Sequence, residues 1–176
     1  KYPSGGGDVL MGSVVTRNPG LHHRLKLAHM HLGLGVGAND AEAIRAIYNV
    51  EVETSTVTFD IVPRTLAEQR RWIDDRSGAH TAIVAENDAG LVGFGALSPY
   101  KERAAYRTTV EDSIYVHRDF GGRGIGKTLL SRLVEIARES GFHSVIGRIE
   151  ASGDASRALH ASCGFELVGI EREVGR

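Results

Sequence analysis

Ser113-Ile-Tyr-Val-His-Arg-Asp-Phe-Gly-Gly-Arg-Gly-Ile-Gly-Lys-Thr128 runs from an alternating apolar strand, through a glycine-dense loop, into a helix. That helix, predicted over Lys127–Ser140, carries Leu129, Leu130, Leu133, Ile136 and Ala137 on one face, and Gly141 stops it. Such a turn aims several backbone N–H groups at one point, at the positive end of the helix dipole. Gly122, Gly124 and Gly126 let the backbone come close to a ligand and adopt positive φ. The expectation is a cradle for phosphate or pyrophosphate; the plainer alternative is a tight connector that binds nothing. Gly121-x-x-x-x-Gly126-Lys127-Thr128 also satisfies the P-loop pattern. Context argues against that version. A P-loop opens a parallel nucleotide core with a metal-binding Asp on a later strand, whereas the strand after this helix, Ser144–Ile149, ends in Glu150.

Outward from this loop the pattern stays mixed. Asn39 or Asp40 is placed to N-cap a helix with Ala43, Ile44, Ile47 and Tyr48 on one face. Thr65 and Glu68 have capping-box spacing before Leu66, Trp72 and Ile73. His80–Glu86 and Leu91–Leu97 read as strands joined by an Asn87-Asp88-Ala89-Gly90 turn, and Val110–His117 as a third. A short helix is expected over Ala155–Ser162, then a last strand over Phe165–Ile170. Helices, a meander, then strand–helix–strand–helix–strand make a mixed α/β domain.

Composition sets the limits. The chain has 176 residues, 41% hydrophobic and 24% charged, and 21 basic against 22 acidic side chains leave a net charge of −1. No global basic field points to nucleic acid. The single cysteine, Cys163, allows no internal disulfide and no multi-cysteine zinc site, so a reducing cytoplasm is the expected location. No apolar run approaches a membrane span; Lys26, His29 and His31 interrupt the nearest, Leu25–Val36. His22, His23, His29 and His31 crowd one stretch without a nearby Cys, Asp or Glu, which favours a solvated tail over a metal site.

The loop also resembles the acyl-CoA loop of the GNAT acetyltransferase superfamily, Arg/Gln-x-x-Gly-x-Gly/Ala after a strand, with Gly121 where Arg or Gln is usual. Leu159-His160-Ala-Ser-Cys-Gly164-Phe165 is similar to its second signature, with Gly153 where relatives carry Asn. Three further blocks are similar to the phosphinothricin acetyltransferase family within it: Ile47–Val50 with Thr54–Phe59, Tyr100–Val116 and Ile170–Arg176. The resemblance implies a GNAT-like fold, a central, mostly antiparallel twisted sheet flanked by helices. It implies an extension over 1–31 and an acetyltransferase domain over 32–176, with glycine-rich Leu32–Gly37 in place of the usual first strand and the final strand missing.

What the resemblance implies chemically is acetyl transfer from acetyl-CoA, without metal, to a small anionic amino acid such as phosphinothricin, methionine sulfone or methionine sulfoximine. Glu111 takes the position of the general base, with His160 either sharing proton transfer or orienting its helix. Ile114, Tyr115 and Val116 would meet the thioester, and Gly122, Arg123, Gly124, Ile125, Gly126 and Lys127 the pyrophosphate. Gly153 and Ser162 are further coenzyme positions. Lys101, Glu102, Arg103, Glu111, Asp112 and Ser113 are expected at the acceptor, although strand alternation turns Asp112 away from Glu111. Lys101, Arg103 and Arg107 would clamp an anionic acceptor. A homodimer is implied by analogy. The departures at Gly121 and Gly153 keep open a non-catalytic acyl-CoA-binding module.

Overall fold

The computed structural model describes residues 38–76 and 78–174; the expectations for residues 1–37, the histidine-rich stretch included, lie outside them. Helix α1 (Ala38–Thr54) and helix α2 (Leu66–Asp74) come first. Strands β1 (Ala82–Asn87), β2 (Gly90–Pro99) and β3 (Thr109–Val116) follow, then helix α3 (Ile125–Glu139), strand β4 (Ser144–Gly147) and helix α4 (Asp154–Ser162). The strands form one sheet in the order β1-β2-β3-β4. The β1–β2 and β2–β3 pairs are antiparallel; β3–β4, joined through α3, is parallel. The mixed α/β architecture expected from the sequence is what forms, and its meander is unlike a parallel nucleotide core.

Two apolar layers cover the sheet. On one face Ile44, Ile47 and Tyr48 of α1 pack with Val84 and Phe94, flanked by Trp72 and Ile73 of α2 and by Tyr115. On the other, Leu129, Leu133, Ile136 and Ala137 of α3 pack on Ile83, Ala85, Val92, Leu97 and Val110. The buried side chains of α3 are those its helical spacing marks. Helix α2 begins with a complete capping box, the Thr65 hydroxyl accepting from the Glu68 amide and the Glu68 carboxylate from the Thr65 amide. Asn49, buried on α1, donates to the Arg64 carbonyl and accepts from the Arg64 amide, both at 2.9 Å, and so ties down the loop before α2.

Three sequence expectations need correction. Helix α1 starts at Ala38, so Asn39 and Asp40 lie within its first turn rather than before it, with Asp40 favourably placed for the dipole. β4 ends at Gly147, not Ile149. Phe165–Ile170 forms no strand: among the described residues β4 pairs with β3 alone, and no ladder reaches this segment. Leu167 and Val168 are exposed (79% and 87%). Alternation shows that a segment can pleat; a strand also needs a hydrogen-bonding neighbour.

Candidate active site

The site is set by where two strands part. β3 pairs with β4 from Thr109↔Ser144 to Asp112↔Gly147, and there the ladder stops. On its other edge β3 stays paired with β2 as far as Val116. The His117 amide donates to the Val92 carbonyl at 2.9 Å, and alternation from there turns the Tyr115 and Ser113 backbone toward β2. Ile114 and Val116 therefore direct their amides and carbonyls into the gap, where no strand among the described residues meets them. Tyr115 does not: its ring stacks on Phe94 at 5.1 Å and meets Tyr48 edge-on, and burial pushes its hydroxyl pKa up.

β3 leads through a short turn (Arg118–Phe120) to the glycine loop at the N-terminus of α3. Gly122 and Gly124 have φ of 72° and 80°, and a Cβ on either would meet nothing within 4 Å. The loop is thus held in a conformation that favours glycine, with its backbone open to approach. The first-turn amides of α3, at Ile125, Gly126 and Lys127, precede the first intrahelical bond, which Thr128 donates to Gly124 at 3.0 Å. The Lys127 side chain is exposed on this turn. Arg123 folds back, donating to the Asp119 carbonyl at 3.1 Å with its guanidinium 4.9 Å from the Phe120 ring. The Thr128 hydroxyl is bonded to the Gly124 carbonyl. A loop of free amides at a helix N-terminus fits a pyrophosphate.

Glu111 and Asp112 are neighbours in sequence and lie on opposite faces of the sheet. Glu111 shares its face with Ser113 and Tyr115; its carboxylate accepts from Arg148 Nε at 2.9 Å. Arg148 follows the last residue of β4, is half exposed, and holds its guanidinium 5.9 Å from the Phe59 ring. The bond to Glu111 raises the Arg148 pKa above its usual value. Phe59 also lines an open cleft of about 690 Å³ between the loop before α2 and α2 itself.

Asp112, 6% exposed, faces α4. Its Oδ2 lies 3.1 Å from His160 Nε2, while His160 Nδ1 lies 2.7 Å from the Ser156 carbonyl oxygen. Alternation thus sends the side chain of Asp112, expected at the acceptor, to the face opposite Glu111. It also separates His160 from Glu111. Two acceptors, one at each ring nitrogen, favour the doubly protonated ring. Burial alone would lower the His160 pKa; the Asp112 carboxylate and the Ser156 carbonyl outweigh it, and the value is raised. The ring lies against Gly147, where a Cβ would come within 2.8 Å of two of its atoms.

The remaining predicted positions are spread around these. Lys101, Glu102 and Arg103 are exposed on the loop before β3, with Lys101 Nζ 4.8 Å from the Tyr100 ring. Gly153 caps α4 without a side-chain bond, and the Ser162 hydroxyl donates to the Leu159 carbonyl of its own helix. Arg148 and Gly147 were missed by sequence reading. Arg148 follows from the register rather than from the sequence: once Ile146 is paired with Glu111, alternation along β4 places Arg148 on the same face. Among the described residues no group of three or more His, Cys, Asp or Glu side chains gathers as a metal site would. No helix there is long and apolar enough to cross a membrane.

Comparison with known proteins agrees with this geometry. The chain is 38% identical over 139 residues to a phosphinothricin N-acetyltransferase of Alcaligenes faecalis, covering 78% of this chain and 71% of that one. It is 35% identical over 142 residues to an L-methionine sulfoximine/L-methionine sulfone acetyltransferase of Pseudomonas aeruginosa, covering 80% and 83%. A crystal structure of a phosphinothricin acetyltransferase from Sinorhizobium meliloti in complex with acetyl-CoA superposes with a TM-score of 0.76 at 35% identity, over 80% of this chain and 77% of the other. Residues 44–165 match the acetyltransferase (GNAT) family, and the chain belongs to that family of acetyl-CoA-dependent enzymes.

Proposed function

We propose that this acetyltransferase acts on the α-amine of a small anionic amino acid of the phosphinothricin, methionine sulfone or methionine sulfoximine type. The observation that carries the proposal is the parting of β3 and β4 after Asp112, with Glu111 at its mouth and the glycine loop at its far end. The substrate classes named for the relatives support the choice of acceptor.

Acetyl-CoA, when bound, supplies an acyl group already activated as a thioester. The loop from Gly122 to Lys127 receives its pyrophosphate through backbone amides, with Lys127 adding charge. The Ile114 and Val116 amides line the gap and are suited to stabilise the negative charge that develops on the thioester oxygen. An α-ammonium has a pKa near about 8 and must lose a proton before it attacks. Glu111 is the group on the acceptor face able to take that proton, directly or through a water. Lys101 and Arg103 on the preceding loop attract the acceptor's anionic group, with Ser113 beside Glu111 on the floor. His160, engaged at both nitrogens on the opposite face, is assigned a positioning role rather than proton transfer. The same reading carries a homodimer, which mass in solution tests, and a reducing cytoplasm as its compartment.

Release of free thiol from acetyl-CoA across a panel of amino acids tests the function. Turnover with methionine sulfone, methionine sulfoximine or phosphinothricin is expected. Turnover only with peptides or polyamines would reject the acceptor, and none with any amine would reject the reading.

A further inference from the structure

We propose that Arg148 is a specificity-determining residue: it grips the α-carboxylate of the acceptor and forms with Glu111 a two-charge receptor for the head group of a free amino acid. The inference rests on the acetyl-transfer reading above and says which amines are accepted.

The placement comes first. Arg148 stands immediately beyond the last paired residue of β4, where the gap opens, on the face that carries Glu111 and Ser113. Its contact with Glu111 uses one nitrogen and one oxygen, Nε to Oε1 at 2.9 Å. The two terminal nitrogens of Arg148 and the second oxygen of Glu111 make no hydrogen bond among the described residues. Half of the Arg148 side chain and 23% of the Glu111 side chain are accessible, so these groups can be approached from solvent.

An α-amino acid carries its ammonium and its carboxylate on one carbon. The pair presents the complementary arrangement, a free carboxylate oxygen beside the guanidinium edge formed by the two terminal nitrogens. Guanidinium holds carboxylate side-on through two parallel hydrogen bonds, a geometry that a lysine cannot reproduce. The ammonium is then drawn toward Glu111, which places the nitrogen that must attack next to the group that takes its proton. The Phe59 ring centroid lies 5.9 Å from the guanidinium carbon, at the outer reach of a cation–π contact. Stability offers little reason for the pair, since a partly exposed ion pair contributes only about 0–1 kcal/mol. The loop cations Lys101 and Arg103 remain for a second anionic group at the far end of the acceptor.

The experiment compares L-methionine sulfone with its methyl ester as acceptors, by thiol release at saturating acetyl-CoA, for the native protein, Arg148→Ala and Arg148→Lys. The native protein is expected to favour the free acid in kcat/KM by about 10–100-fold, the scale of a charge-assisted carboxylate contact. In Arg148→Ala that preference should fall about tenfold or more, through KM rather than kcat. Arg148→Lys should restore only part of it. Equal losses on acid and ester, or an undiminished preference, would overturn the proposal while leaving acetyl transfer standing. Failure of the native protein to turn over any amine would instead overturn the reading beneath it. Calorimetric binding of the two acceptors to the coenzyme A complex reads Arg148 independently of turnover: an acid preference lost in Arg148→Ala supports the receptor, whereas equal binding, or binding of neither, overturns it.

Discussion

His160 Nε2 lies 3.1 Å from Asp112 Oδ2, an ion pair that ties helix α4 to strand β3 at the last rung before β3 and β4 part. It is nearly closed to water, with 9% of the His160 side chain and 1% of the Asp112 side chain exposed. Removing one partner of such a pair strands the other, so Asp112→Ala should destabilise by about 3–5 kcal/mol, read from denaturant unfolding at neutral pH.

The pH dependence of that pair has a definite sign. The folded His160 pKa is raised above its ordinary 6.5. The stabilisation is therefore complete below the unfolded value and is lost as pH rises through the folded one. Unfolding midpoints measured from pH 6 to pH 9 should fall in the native protein. They should fall less steeply in His160→Gln; equal slopes would remove the imidazolium assignment.

Gly147→Ala tests the packing around the same ring. The added methyl would stand 2.8 Å from two ring atoms and 3.2 Å from Asp112 Oδ1. Because both belong to a buried pair with little room to move, a loss of about 1–3 kcal/mol is expected, measured by thermal or denaturant unfolding.

At the chemical end of the gap, Glu111→Gln keeps the shape of the side chain and removes its basicity. Turnover should drop by about 10²–10⁴-fold while the dissociation constant for acetyl-CoA holds. Thiol release and calorimetry read the two quantities separately, and unchanged turnover would reject the base.

Gly124→Val addresses the loop. Space is not the obstacle, since a Cβ there meets nothing within 4 Å; the obstacle is a φ of 80°, which a β-branched residue adopts at a cost of about 1–3 kcal/mol. If that cost falls on the binding conformation, acetyl-CoA affinity should weaken by about 10–100-fold with the fold retained. Unaltered affinity would show that the loop does not hold the coenzyme.

Local chemistry was legible from the chain alone wherever one short stretch carries both the cause and the effect. Thr65 and Glu68 announce the start of α2, and the leucines of α3 announce its buried face. The turn at Asn87, whose side chain accepts from the Ala89 amide, follows from its residues as well. Alternation alone put Asp112 on the far side from Glu111. What depends on register between distant segments was hidden. His160 meets Asp112 across 48 positions, and Arg148 meets Glu111 across 37. Neither distance is written in a periodicity. Phe165–Ile170 shows the opposite failure: its pattern permits pleating, but nothing within the segment reports whether a neighbouring strand is there to receive it.

The back-to-back placement of Glu111 and Asp112 bears on how such an enzyme changes over generations. On the proposed reading, substitutions among the side chains around Glu111 retune which amine is chosen without disturbing the Asp112–His160 pair on the reverse side. Shifting the strand by a single position would exchange the two carboxylates and forfeit both duties at once. That reading leaves acceptor preference open to point changes, while an insertion or deletion within Thr109–Val116 would displace both carboxylates.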